Sequence, residues 1–247
     1  MAVHNGPVLS CVTWNIHRAR GNDGVIDPAR TLDVLVSEVW APGMDALILT
    51  EADGERPPHR GMLDIARLQD ETGLCCLHGD PAARWGVQSH GFLGVILFVA
   101  PGIEVQDIVL LDLPGHCHRG AVIADLVKEG RQVRLIGAHL SLSQGLRIVQ
   151  LRTLGQHLFR RAARQSILCG DLNEWRPWGG LALSERIMGQ RFNGPALATF
   201  PIRRPFLPLD RVLTTAPGQV VQARVLDGGG IRAVSDHRPL AATVSLG

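Results

Sequence analysis

Apolar residues fall into short runs along this chain, with two different spacings. Residues 8–14 are β-branched and apolar and predict a strand, with Asn15 and His17 at its carboxyl end. Asp27 followed by Pro28 marks a helix start, and Leu32, Leu35, Val36 and Val39 then repeat at helical spacing until Pro42 and Gly43. Residues 45–50 predict a second strand, running into Glu51 and Asp53. Residues 61–71 predict a second helix, with Met62, Ile65, Ala66 and Leu68 on its apolar side. Residues 74–77 suit a short strand, and residues 80–90 a polar connection carrying Arg84 and Trp85.

From residue 92 to 127 the helical period is absent. Residues 92–99, 103–111 and 120–127 predict successive strands, and Lys128-Glu129-Gly130 a tight turn into a strand over 132–138 that ends at His139. Residues 143–163 predict the longest helix. Ile148, Leu151, Leu154, Leu158 and Ala162 form its apolar stripe, and Arg147, Arg152, Arg160, Arg161 and Arg164 a solvated basic face. A strand over 166–169 delivers Asp171 and Asn173 into a loop, and a short helix is expected around 181–188. Later strands cover 209–214, 220–226 and 240–245, the last preceded by Asp236 and His237. No repeat or low-complexity tract interrupts the pattern. It predicts one domain over residues 1–247, of α/β or α+β class, with two largely antiparallel sheets packed face to face and helices outside.

Composition narrows the class without naming the chemistry. The 247 residues are 45% hydrophobic with a net charge of +2, the profile of an ordinary globular protein. No apolar run approaches the roughly 18 residues that span a bilayer. The first residues lack a basic-then-apolar leader, so the expected compartment is the cytoplasm. Cys11, Cys75, Cys76, Cys117 and Cys169 are odd in number and contain no C-x-x-C pair, which suggests neither a disulfide framework nor a zinc site. Cys11 and Cys169 fall in predicted strands, as reduced buried thiols would.

What stands out is polar residues at the ends of strands: Asn15, Glu51, His139, Asp171 with Asn173, Asp210, and Asp236 with His237. Each alone is ordinary turn chemistry. Together they offer carboxylates and amides suited to a hard cation such as magnesium, and two histidines for proton transfer or anion binding. The HExxH, P-loop and GxSxG patterns are absent.

Six of these stretches, in order, carry a resemblance. They are Thr13-Trp14-Asn15-Ile16-His17, Leu49-Thr50-Glu51, Gly137-Ala138-His139-Leu140, Gly170-Asp171-Leu172-Asn173, Leu209-Asp210-Arg211 and Ser235-Asp236-His237-Arg238-Pro239. The chain resembles the endonuclease/exonuclease/phosphatase superfamily, the deoxyribonuclease-I-like group, from about residue 9 to 245. His17 to Gly21, Arg119-Gly120-Ala121 and Ala198-Thr199-Phe200-Pro201 are similar to small bacterial members.

The resemblance implies a four-layer α/β sandwich and a metal-dependent phosphoester hydrolase, with Mg2+ or Mn2+ as cofactor. It implies Glu51, Asn15 and Asp236 as metal ligands. It gives His237 the role of general base, oriented by Asp210. Asp171 would position the nucleophile or shuttle a proton, Asn173 would hold a phosphate oxygen, and His139 would donate to the phosphate. Arg18, Arg119 and Arg238 lie inside motifs and Arg56, Arg84, Arg203 and Arg204 in loops, where they could meet phosphates. Three departures accompany the match: Leu-Thr-Glu stands for the usual Leu-Gln-Glu, the 89–94 segment lacks a Gly-Asn, and His17 replaces an acidic residue of some nucleases.

Three functions follow. The first is a phosphodiesterase acting on nucleic acid. The second is a hydrolase of a small phosphorylated molecule or lipid headgroup. The third is a catalytically inactive binding module.

Overall fold

A computed structural model describes residues 6–115 and 119–247. Cys117 and the first five residues lie outside them; Cys11, Cys75, Cys76 and Cys169 are free thiols, the first and last buried.

The strands are β1 (Val8–Asn15), β2 (Ala46–Thr50), β3 (Cys75–Cys76), β4 (Ile96–Val99), β5 (Glu104–Asp112), β6 (Gly120–Lys128), β7 (Arg131–His139), β8 (Gln165–Asp171), β9 (Asp210–Thr214), β10 (Val220–Val225) and β11 (Leu240–Ser245). The α-helices are α1 (Pro28–Val34), α2 (Ile65–Thr72), α3 (Gln144–Phe159), α4 (Glu185–Met188) and α5 (Gly229–Val234). One sheet has the order β10-β11-β1-β2-β4-β3, the other β5-β6-β7-β8-β9.

Alternation along the strands sorts side chains to three cores. Leu9, Cys11, Ile48, Leu97, Ile167 and Cys169 fill the space between the sheets. Val12, Trp14, Leu47 and Leu49 face outward onto Leu32 and Leu35, Leu68, and Ile231 and Val234. Ile136, Leu168 and Leu213 face outward onto Leu151, Leu154 and Met188. The result is four layers, helix–sheet–sheet–helix. Central strands buried on both faces explain why their sequences read as near-continuous apolar runs.

The sheets are mixed. β1 and β2 run parallel, joined across α1, and β7 and β8 run parallel, joined across α3. Parallel neighbours need a crossover of that kind. Each parallel pair therefore ends at one edge of the sandwich, and those ends carry the polar residues.

Several elements differ from expectation for local reasons. The second helix begins at Ile65, capped by Asp64, which accepts from Arg67 N at 3.0 Å. Gly61 and Met62 are instead tied to Gln88 O and Ala52 O. Residues 92–95 close a turn with Leu93 and Gly94 at positive φ, so the strand starts only at Ile96. α3 stops at Phe159, and Arg161 turns to bind Asp107 and Asp125. Only Glu185–Met188 of the 181–188 stretch is α-helical. α5 has no sequence signal, because two glycines open it and a third, Gly228, precedes it as the N-cap. Glu38 supplies what the sequence there lacks, accepting from Gly230 N at 2.8 Å and Ile231 N at 3.1 Å.

Arg147 is also not on a solvated face. It is 1% exposed and donates to the carbonyls of Ser141 and Leu142 and to Glu174. Among the described residues, no helix is long and apolar enough to cross a membrane.

Candidate active site

Backbone register brings the site together before any side chain is considered. Asn15 lies beside Thr50 across β1–β2, His139 beside Asp171 across β7–β8, and Asp171 beside Asp210 across β8–β9. Glu51 follows β2 directly. β1 pairs antiparallel with β11, so the Ser235–His237 loop before β11 arrives at the same edge. Ser235 fastens it there, donating from Oγ to Asn15 O at 2.7 Å and accepting from His237 N at 3.1 Å. Trp14 Nε1 donates to His237 O at 3.0 Å.

The backbone at this edge adopts a conformation that L-residues avoid. His17, Arg18, Ala19, Glu51 and Asn173 all have φ between 49° and 55°. Left-handed non-glycine residues are uncommon and gather where side chains must be aimed. Gly170 is at φ 133°, and a Cβ there would lie 1.9 Å from Ala138 O. A glycine is required at that point for β8 to run on to Asp171.

These side chains surround a cleft of about 400 Å3 lined by Asn15, His17, Arg18, Glu51, Arg119, His139, Asp171, Asn173, Asp236 and His237, with Leu142, Trp175, Phe200, Leu207 and Leu209 as its apolar part. A wider groove of about 690 Å3 along β10 is lined by no ionisable residue, so chemistry rather than size locates the site.

At the centre His237 Nδ1 is 2.7 Å from Asp210 Oδ2, and its Nε2 is 3.9 Å from Asp171 Oδ2. Asp210 is fully buried behind the imidazole and also accepts from Thr199 Oγ1 at 2.6 Å. Phe200 packs on the imidazole, with ring centroids 4.9 Å apart. With Nδ1 engaged, Nε2 is the ring nitrogen left for chemistry. Burial disfavours the imidazolium, but Asp210 and Asp171 outweigh it and raise the His237 pKa to about 10.

Asp171 is 2% exposed. Burial pushes its carboxyl up to about 6, against the attraction of His237. It accepts from Asn15 Nδ2 at 3.0 Å and from Asn173 N at 3.0 Å. Asn173 Nδ2 donates to Leu140 O at 2.9 Å, which leaves its second amide hydrogen for another acceptor. His139 Nε2 lies 3.6 Å from Asp171 Oδ2 and 3.8 Å from Glu51 Oε1. Burial and the cations Arg119, Arg18 and His237 hold its pKa well below the usual value, so it is neutral.

Oxygen donors for a cation are present. Glu51 faces the cleft and takes the guanidinium of Arg18. Asn15 Oδ1 accepts from His17 N at 2.9 Å. Asp236 Oδ1 is buried without a hydrogen bond, 3.8 Å from His17 Nδ1. This all-oxygen set, with one oxygen unpartnered, fits a hard divalent cation. Asp171, Asp210 and His237 also place ligand atoms within 4.8 Å of one another. Asp210 Oδ2 and His237 Nδ1 are engaged with each other, while Asp210 Oδ1, like Asp236 Oδ1, is buried without a hydrogen bond.

Arg18 and Arg119 line the cleft. Arg238 does not. Its Nε donates to Ile202 O at 2.9 Å and its Nη1 lies 3.1 Å from Asp227 Oδ2, so it braces the loop before β11 rather than meeting substrate. Arg84 likewise spends its guanidinium on the carbonyls of His78 and Gly79. Sequence reasoning missed Thr199 as the anchor of Asp210, and Leu142 and Trp175 as cleft walls. The Ala198-Thr199-Phe200-Pro201 motif was a usable signal for Thr199. Leu142 and Trp175 carry none.

Residues 12–237 match the Endonuclease/Exonuclease/phosphatase family. Among solved structures, the endonuclease/exonuclease/phosphatase from Bacteroides vulgatus is 14% identical with a TM-score of 0.74, over 98% of this chain and 100% of that one. The human Nocturnin catalytic domain is 20% identical with a TM-score of 0.70, over 98% of this chain and 94% of that one. D. rerio TDP2, complexed with a single-strand DNA product, is 15% identical with a TM-score of 0.68, over 96% of this chain and 99% of that one. At such identities the likeness establishes the fold. No curated protein matches the sequence. With the family matched from β1 to the His237 loop, the chain belongs to the endonuclease/exonuclease/phosphatase family.

Proposed function

We propose that the chain is a phosphodiesterase dependent on Mg2+ or Mn2+, working as one domain over residues 1–247 in the cytoplasm, with nucleic acid phosphodiesters as its leading substrate class. The observation that carries this reading is the line Asp210–His237–Asp171 opening onto an oxygen-rich cleft.

Glu51, Asn15 and Asp236 would hold the cation. Once bound, such an ion polarises a phosphoryl oxygen and offsets charge on the leaving oxygen. The chain's own groups account for the rest. Asp210 fixes the direction of His237 and stabilises its charged form. His237 Nε2 and Asp171 Oδ2 lie 3.9 Å apart and act as a coupled pair. In it, protonated His237 keeps its Nε2 hydrogen as a donor and the Asp171 carboxylate takes the proton of the attacking water. Neutral His139, the free amide hydrogen of Asn173 and the guanidinium groups of Arg18 and Arg119 are donors for the phosphate oxygens. The D. rerio TDP2 complex with a DNA product supports a nucleic acid reading by likeness of fold.

The test is hydrolysis of bis(p-nitrophenyl) phosphate and of the p-nitrophenyl monoester with Mg2+, Mn2+ or EDTA. Diester cleavage that stops in EDTA supports the reading. Preference for the monoester would favour a small-molecule phosphatase. Turnover of neither ester would leave a narrowly specific enzyme or a binding module.

A further inference from the structure

The cleft has an apolar side that phosphoryl chemistry does not need. Trp175 and Leu142 line it while remaining 49% and 77% exposed. Large exposed apolar groups at a polar cleft mark a ligand contact.

Both are held in place from beneath by one carboxylate. Glu174 is 0% exposed and accepts from Arg176 N at 3.1 Å and from Arg176 Nη1 at 3.1 and 3.2 Å. The guanidinium so fixed lies over the Trp175 ring, Cζ 4.8 Å from its centroid. Glu174 also accepts from Arg147 Nη2 at 3.5 Å, and Arg147 grips the carbonyls of Ser141 and Leu142. The indole is thus a pre-positioned flat surface, with a cation on its ring, beside the arginines that suit a phosphate.

We propose that Trp175, with Leu142, forms a stacking subsite for the nucleobase next to the scissile phosphate, so that the substrate is a nucleotide phosphodiester. The proposal rests on the phosphoester-hydrolase reading above. A base suits the site better than an acyl chain, because a planar ring exploits an indole held in one orientation. An acyl chain requires a continuous apolar channel, and this lining is mixed.

The test is calorimetric titration of the Mg2+-loaded protein with inorganic phosphate, ribose 5-phosphate and adenosine 5′-monophosphate. Base stacking on an aromatic side chain predicts that the nucleotide binds about tenfold tighter than the sugar phosphate. Trp175→Ala should bring that ratio close to one, and Trp175→Phe should keep most of it. Equal affinities in the wild-type protein, or an unchanged ratio in Trp175→Ala, would overturn the proposal. Trp175-dependent binding to phosphatidylglycerol vesicles without a base preference would also overturn it, assigning the wall to lipid. Failure to bind even inorganic phosphate would instead defeat the phosphoester reading itself.

Discussion

The guanidinium of Arg18 rests on the carboxylate of Glu51, Nη1 donating to Oε2, and both residues sit at positive φ, 52° and 54°. A positive side chain thus occupies the carboxylate that a cation would use. The contact predicts opposite effects of two substitutions on Mn2+ binding measured by calorimetry. Glu51→Gln should weaken it at least about tenfold, by removing a charged oxygen ligand. Arg18→Ala should tighten it by about two- to fivefold, the worth of a partly exposed competing ion pair.

Asp210 acts through His237, so its loss should affect turnover more than substrate binding. Asp210→Asn is expected to lower kcat by about 10²–10⁴, as for other imidazoles that lose an orienting carboxylate. Thr199→Val removes a hydrogen bond from a buried carboxylate and should cost about 1–3 kcal/mol of stability in urea denaturation.

Gly170→Ala would force a methyl group to within 1.9 Å of Ala138 O at φ 133°. The expected loss is at least about 2 kcal/mol, read as a lower urea midpoint with an unchanged slope.

Asp125 is 4% exposed and paired with Arg134, at 2.6 and 3.0 Å, and with Arg161 at 2.9 Å. Burial raises its pKa, but the two arginines outweigh burial and leave it below the ordinary value. A carboxyl depressed in the fold stabilises it above the unfolded pKa of about 3.9, and that contribution fades as pH falls through the folded value. Asp125→Asn should therefore cost about 3 kcal/mol at pH 7. The gap between variant and wild type should narrow as denaturation is repeated at falling pH below the unfolded carboxyl value.

Much of the fold was legible because its strands are buried and its turns are marked. Residues 8–14, 45–50 and 120–127 lie within or beside β1, β2 and β6, and Glu129 and Gly130 make the expected hairpin turn. Asn15, Glu51, His139, Asp171, Asn173, Asp236 and His237, which line the cleft, were legible as polar residues at strand ends, whereas Leu142 and Trp175 were not. What was not legible depends on partners distant in sequence. α5 relies on Glu38, and Arg147 is buried because Glu174 arrives from another loop. Arg238 sits within a motif, yet its position beside Asp227 turns it away from the cleft. Periodicity reports a residue's own element and says nothing of the loop that folds over it.

The pair His237 and Asp171 carries the account, and turnover of bis(p-nitrophenyl) phosphate by His237→Ala and by Asp171→Ala tests it most directly. The prediction is a loss of at least about a hundredfold in each, given what positioned acid–base groups contribute, with each variant's circular dichroism unchanged. Wild-type turnover in either folded variant would contradict the assignment of proton transfer to this pair.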